Sequence, residues 1–204
     1  MTESRVSRTR RRLSLALLAG VAMFLQAAPV HSAEGLNAAA WNPGSQWLSL
    51  RFGYAKERGR FSPNGNVGYG FGYSRMVSKR LSLGANVQHD LLGKFGGSAL
   101  IAMPATIEGL WHFKWGSSFH PYAGAGVAAV YRKTYRTGAD ASTVQPGYSF
   151  SLGANVPIDK AHLLGLDARL GSVAGNGWEY DPVFLIRRPT NSTVSIKLNY
   201  SLTY

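Results

Sequence analysis

Val194-Ser195-Ile196-Lys197-Leu198-Asn199-Tyr200-Ser201-Leu202-Thr203-Tyr204 alternates without a break: each even position is large and apolar, each odd one polar. Side chains in a β-strand point to opposite faces in turn, so a period of two predicts a strand with one greasy wall and one polar wall. The same rhythm runs back through the chain. Leu48, Leu50, Phe52 and Tyr54 carry it first, and Val67, Tyr69, Phe71 and Tyr73 alternate with Gly68, Gly70, Gly72 and Ser74. Segments follow around Leu81–Val87, Ile107–Phe113, Ala123–Tyr131, Tyr148–Val156 and Leu164–Leu170. That makes eight, mostly of about nine to thirteen residues, the reach of a tilted membrane-crossing strand. Strands of soluble sandwiches run to about five or six.

The gaps alternate as well. Residues 77–79, 114–119 and 157–161 are short, whereas 57–65, 91–101, 134–145 and 173–191 are long. Three short turns at one end and four long loops at the other are what eight up-and-down strands need. The expectation is an all-β fold: an eight-stranded antiparallel up-and-down transmembrane β-barrel over residues 34–204. Its short turns and both termini face the periplasm and its loops face outside. Residues 34–45, with Pro43 and Gly44, read as a loose lead-in.

Residues 1–33 read differently. Arg5, Arg8, Arg10, Arg11 and Arg12 precede an apolar run from Leu13 to Pro29, then small residues up to Ala33. That order is a secretory signal peptide, with cleavage after Ser32 or Ala33. The full chain has a formal charge of +12. The signal holds five Arg and one Glu, a net four positive charges, so +8 stays with the barrel. Export argues against nucleic acid as the partner of this charge and for an anionic membrane surface. There is no cysteine, hence no disulfide and no acylated N-terminal Cys. No stretch after residue 33 approaches the ~20 apolar residues of a spanning helix, which leaves a closed barrel as the way to cross a membrane.

The polar wall should line a narrow lumen, with Arg51, Glu108, His112, Asp167, Arg169 and Lys197 on it. Such charge must be paired. Asp167 can reach Arg169, Lys197 or Arg51, and Lys197 or Arg169 is the expected partner. Glycine at alternate positions keeps the wall flat, and a G-x-G-x-x-G loop between strand and helix is missing. Glu108 and His112 share a face but stand ~13 Å apart in a strand, too far for an acid–base pair. His89 and Asp90 point to opposite faces. No catalytic set, metal-ligand spacing or cofactor motif is present. Aromatic belts are expected at both interfaces: Trp111, Trp115, Phe119 and Tyr204 by the short turns, and Tyr54, Tyr131, Tyr135, Tyr148, Trp178 and Tyr180 by the loops. Cations gather on the loop side, namely Lys56, Arg58, Arg60, Lys94, Arg132, Lys133, Arg136, Arg187 and Arg188. In an outer leaflet of lipopolysaccharide these could bind phosphate.

Pro104-Ala105-Thr106, Trp111-His112-Phe113 and His120-Pro121-Tyr122-Ala123-Gly124-Ala125-Gly126-Val127 together resemble the OmpW family of small outer-membrane channels. Ser151–Val156, Leu163–Arg169 and Asp181-Pro182-Val183-Phe184 look like later segments of that family. Met103 stands where the family has a first proline, and about twenty residues follow Phe184 where the family's chain ends. The wider group of OmpA-like and opacity-type barrels shares the rhythm. Tyr200, Leu202 and Tyr204 resemble the terminal signal that barrel-assembly machinery reads, although Asn199 stands where the usual pattern has Gly. The resemblance implies passage of small hydrophobic molecules through an apolar lumen. The charged wall read from the residues weighs against that passage, yet the expected function is a passive channel or binding protein for a small, hydrophobic solute. The alternatives are a non-conducting structural or surface-interaction barrel, and a lipid-modifying enzyme with His and Ser paired on the lipid-facing side.

Overall fold

The alternating segments pair in chain order and close on themselves. The computed structural model describes residues 38–58, 64–95, 97–115, 118–135, 140–173 and 192–204, and the backbone at 179–181 and 186–188. The barrel comprises β1 (Gln46–Glu57), β2 (Asn66–Met76), β3 (Leu81–Phe95), β4 (Ser98–His112), β5 (His120–Tyr135), β6 (Ala141–Pro157), β7 (His162–Val173) and β10 (Ser192–Thr203), all antiparallel. β8 (Glu179–Asp181) and β9 (Ile186–Arg188) pair with each other. The last stretch of the sequence, Val194–Tyr204, closes the ring: Leu50 lies opposite Tyr200, and Lys197 opposite Asp167 on β7. Among the described residues no helix is long and apolar enough to cross a membrane.

Each strand sorts its residues as the alternation predicts. Leu50, Phe52, Phe71, Ile107, Val127, Leu152 and Leu198 all stand at least half exposed or close to it on the outside. Ser49, Arg51, Glu108, Asp167, Lys197 and Ser201 are buried inside. An exposed apolar band of this extent has no counterpart on soluble monomers, and lipid is the solvent that suits it.

Two expected loops turn out to be mostly strand. The barrel strands run from 11 residues in β2 to 17 in β6. Residues 91–101 form a tight hairpin, paired from Leu91 opposite Ile101 to Phe95 opposite Ser98. Residues 134–145 likewise fall largely within β5 and β6, with Thr134 opposite Ala141. Two glycines shape the hairpin. Gly93 (φ 100°) sits at a bulge in β3 and Gly97 (φ 79°) turns the hairpin, both left-handed conformations that glycine adopts without strain. The neighbouring strand then satisfies the backbone of the rest.

The lead-in is not loose where it is described. Ala38–Trp41 forms a 3-10 turn. The Ser45 hydroxyl donates to the Ala39 carbonyl at 2.6 Å, and Pro43 follows the turn. Gly44 (φ 95°) then reverses the chain, its N–H bonded to Met76 O at 2.8 Å. This seats Trp41 in the short-turn mouth of the barrel. The Trp47 indole donates to Ala40 O at 2.8 Å, and Ala40, Trp41, Trp47, Met76 and Leu163 form an apolar cluster there.

Candidate lumen site

The lumen is filled in three layers. At the short-turn end, Trp41 stacks on His120 with centroids 3.6 Å apart and meets Trp47 edge-on at 5.7 Å. Trp47 in turn meets His112, whose Nε2 lies 2.8 Å from Ser82 Oγ. At the long-loop end, Ala55, Leu92, Leu100, Ala102, Val130 and Val173 form a second apolar cluster. Between them lies a belt of charge.

The belt ties opposite walls together. Glu108 of β4 is its hub. Arg169 of β7 places Nη2 at 2.8 Å from one Glu108 oxygen and 3.2 Å from the other, and Arg51 of β1 approaches at 3.4 Å. Arg169 Nη1 also donates to Asn86 Oδ1 of β3 at 2.9 Å. β1 and β4 are three strands apart around the ring, as are β4 and β7, so these bonds cross the lumen. A second bridge joins β10 to β3: Lys197 Nζ lies 2.5 Å from Asp90 Oδ1 and also donates to Gln88 Oε1. The Tyr122 hydroxyl donates to Asp167 Oδ2 at 2.9 Å, and Arg169 Nε lies 3.6 Å from Asp167 Oδ1. Ser49, Ser201, Asn199 and Asn155 continue the hydrogen-bonded chain below.

All six residues read from the sequence as lumen residues are buried, and five of them meet in this belt. His112 sits lower, with Ser82. The partner expected for Asp167 needs correction in part. Arg169 is beside it, but Lys197 turns to Asp90. Adjacent strands place Lys197 and Asp167 opposite each other in register, yet the long lysine chain reaches across to β3, where Gln88 adds a second acceptor. Asp90 is therefore a third lumen acid. Arg51, Arg169 and Lys197 balance Asp90, Glu108 and Asp167, and the belt is neutral. Neutrality matters because an unmatched buried charge costs several kcal/mol. Glycine makes the room. A Cβ on Gly68 would strike Asp90 Oδ1 and lie 3.0 Å from Lys197 Cε, and one on Gly153 would strike the Tyr122 ring.

Arg132 also needs correction. It was expected on the outer rim, but Tyr131 faces out, so Arg132 faces in, where it forms an ion pair with a buried Glu57 above the upper apolar cluster. A cavity of about 40 Å³, room for roughly two or three waters, remains between belt and cluster. Asp90, Thr106, Ser149, Arg169 and Val173 line part of it.

Of the other rim cations, Lys56, Arg58 and Lys94 are exposed. Lys133 pairs with Asp140 at 3.1 Å and lies over the Tyr135 ring at 4.3 Å. Arg60, Arg136 and Trp178 lie outside the described residues, as do residues 1–33 and the side chains of Tyr180, Arg187 and Arg188. Of the expected belt aromatics, Trp111, Trp115, Tyr204, Tyr54, Tyr135 and Tyr148 are exposed. On the outer wall His89 stacks on Tyr69 with centroids 5.0 Å apart. The histidine–serine pair formed by His112 and Ser82 lies inside the lumen. Among the described residues no three metal-ligating side chains gather.

This architecture matches solved structures. Neisserial surface protein A is 11% identical with a TM-score of 0.64, the match covering 78% of this chain and 98% of that one. The N-terminal β-barrel domain of OprF from Pseudomonas aeruginosa is 9% identical, TM-score 0.58, covering 79% and 98%. Ail, the attachment invasion locus protein of Yersinia pestis, is 9% identical, TM-score 0.54, covering 79% and 99%. At these identities the likeness establishes the fold: a small eight-stranded barrel of the outer-membrane kind. No protein-family model matches the sequence, and no curated protein matches it either.

Proposed function

We propose that this chain is an outer-membrane barrel that does not conduct, and that its work is done at its outer rim against lipopolysaccharide or another polyanion. The observation that carries the reading is the neutral belt of Arg51, Arg169 and Lys197 with Glu108, Asp167 and Asp90, which bridges the lumen wall to wall with the Trp41 seat below it. An eight-stranded lumen is narrow enough for such side chains to fill. The rim offers Lys56, Arg58 and Lys133 among the described residues, and clustered cations suit phosphate and sulfate groups. Neisserial surface protein A and the attachment invasion locus protein, both of like fold, are named for the cell surface and for attachment. The latter has also been solved with the heparin analogue sucrose octasulfate. Export by residues 1–33, insertion by barrel-assembly machinery and absence of enzymatic activity belong to the same reading.

Planar-bilayer recording tests it. The purified barrel should give no resolved conductance steps, and steady unitary currents would overturn the closed lumen. Neutralising Lys56, Arg58 and Lys133 together should reduce co-purified lipopolysaccharide, and raised salt should weaken retention by the parent as well. Unchanged retention would sink the rim. A second reading, the OmpW-like channel for small hydrophobic molecules, draws on the apolar upper cluster and the cavity beneath it. Uptake of such molecules into proteoliposomes would favour it.

A further inference from the structure

The other end of the barrel carries a pattern the rim does not. Each short turn combines an exposed apolar residue with an exposed cation. The first turn has Val77 with Lys79 and Arg80. The second has Phe113 and Trp115 flanking Lys114. The third has Ile158 with Lys160. Arg75 is exposed on the last outward step of β2. Against these five cations the described residues of the turns offer one acid, Asp159, and it is engaged with His162 at 2.7 Å. None of the five takes part in an ion pair among the described residues. The backbone of the first and third turns is braced: Ser78 Oγ accepts the Leu81 N–H at 3.1 Å, and Asp159 Oδ1 accepts those of Ala161 and His162 at 2.8 and 3.0 Å.

A solvated turn surface explains the lysines but not their apolar neighbours. Val77, Trp115 and Ile158 are 53%, 72% and 53% exposed and continue the outward apolar band. They suit the boundary between hydrocarbon and headgroups. From that boundary a lysine stem extends along the acyl chains while its ammonium reaches the phosphate level. An excess of cations there attracts anionic lipid over zwitterionic lipid. A second copy would bring like charge against like.

We propose that the short-turn end is a docking collar for anionic phospholipid headgroups of the leaflet it faces, held by Lys79, Arg80, Lys114 and Lys160. This rests on the membrane-barrel reading and is independent of the lipopolysaccharide rim. The test uses the full barrel reconstituted in phosphatidylcholine, with spin-labelled phosphatidylglycerol or phosphatidylcholine as the probe for electron spin resonance. Flotation with the vesicles first checks insertion, so failure of the membrane reading shows as protein that stays behind. The parent should associate with labelled phosphatidylglycerol roughly threefold or more over phosphatidylcholine, less so in high salt. The K79Q/K114Q/K160Q variant should lose most of that preference. Should the triple variant fail to fold, K114Q and K160Q singly should each remove a measurable part. No preference in the parent, or one that survives the turn variants, overturns the collar.

Discussion

Lys197 and Leu198 are neighbours in one strand and live in opposite surroundings. Lys197 is 1% exposed and bonded across the lumen, while Leu198 is 52% exposed on the outer wall. The same division repeats around the barrel. The inner wall is cross-linked by ion pairs between strands three apart, and among the described residues the outer wall makes no such bonds and waits for lipid. In a soluble domain the apolar side of a strand supplies the core. Here that side faces outward, and the centre is held by charge that would be a liability if any member were unmatched. The two walls should therefore fail for different reasons, and substitutions can separate them.

Glu108 should give the largest effect. It faces both Arg51 and Arg169, so Glu108→Ala strands the Arg51 guanidinium, leaves Arg169 with Asp167 and Asn86, and should cost about 3–5 kcal/mol in a urea titration of vesicle-inserted protein. Replacing Arg51 and Glu108 together by apolar residues leaves Arg169 with Asp167 and Lys197 with Asp90, and should cost less than the single change. A Glu108→Ala loss below about 1 kcal/mol would mean a well-hydrated lumen, and the contrast between the walls would weaken.

The outer wall should respond to depth instead of partners. Arginine at Leu198, mid-strand and lipid-facing, should cost about 2–4 kcal/mol, falling to about 0–1 at Val144 beyond the apolar band. A cost that does not change with depth would break the comparison.

The walls also differ in how far they were legible. Strict alternation settled which residues face out, so the barrel, its strand number and the burial of Arg51, Glu108, Asp167, Arg169 and Lys197 could be read locally. Arg132 was open to the same reading, because Tyr131 faces out. The expectation of a long loop after residue 134 hid that. Asp90 follows from the parity of Asn86 and Gln88, but the alternation of β3 blurs after Val87, where His89 takes an outward place. The partners were another matter. Lys197 chooses Asp90 over the nearer Asp167 because of reach and a second acceptor across the lumen, which depends on barrel geometry and not on spacing along the chain. The Trp41 seat was illegible for a similar reason. Its 3-10 turn is ordinary, and its pocket is assembled from β1, β2, β5 and β7.

A smaller effect tests how tightly the inner wall is built. Gly68→Ala pushes a methyl group into the Lys197–Asp90 pair and should cost about 1–3 kcal/mol. At Gly72 the nearest atom to an added Cβ is Asn86 Cβ at 3.3 Å, with Arg51 Nη1 at 3.5 Å, so Gly72→Ala should be the milder change. The reverse order in thermal unfolding of the two variants would place the tight spot elsewhere.

The smallest effect belongs to the turns, where the two walls meet and water screens the charge. Asp159 is exposed, and its carboxyl is held below its ordinary value by the Ala161 N–H and then by the His162 side chain. A carboxylate whose folded value is depressed stabilises the protein above its unfolded value, near 3.8. That contribution fades as pH falls through the folded value. Asp159→Asn keeps an oxygen for the turn's N–H groups and removes only the charge. The parent should therefore unfold at slightly higher urea than Asp159→Asn at about pH 6, with the gap closing by about pH 3. A gap that widens on acidification would mean that these N–H groups do not hold the carboxylate. It would also show that a turn, unlike the lumen, draws nothing from its charge.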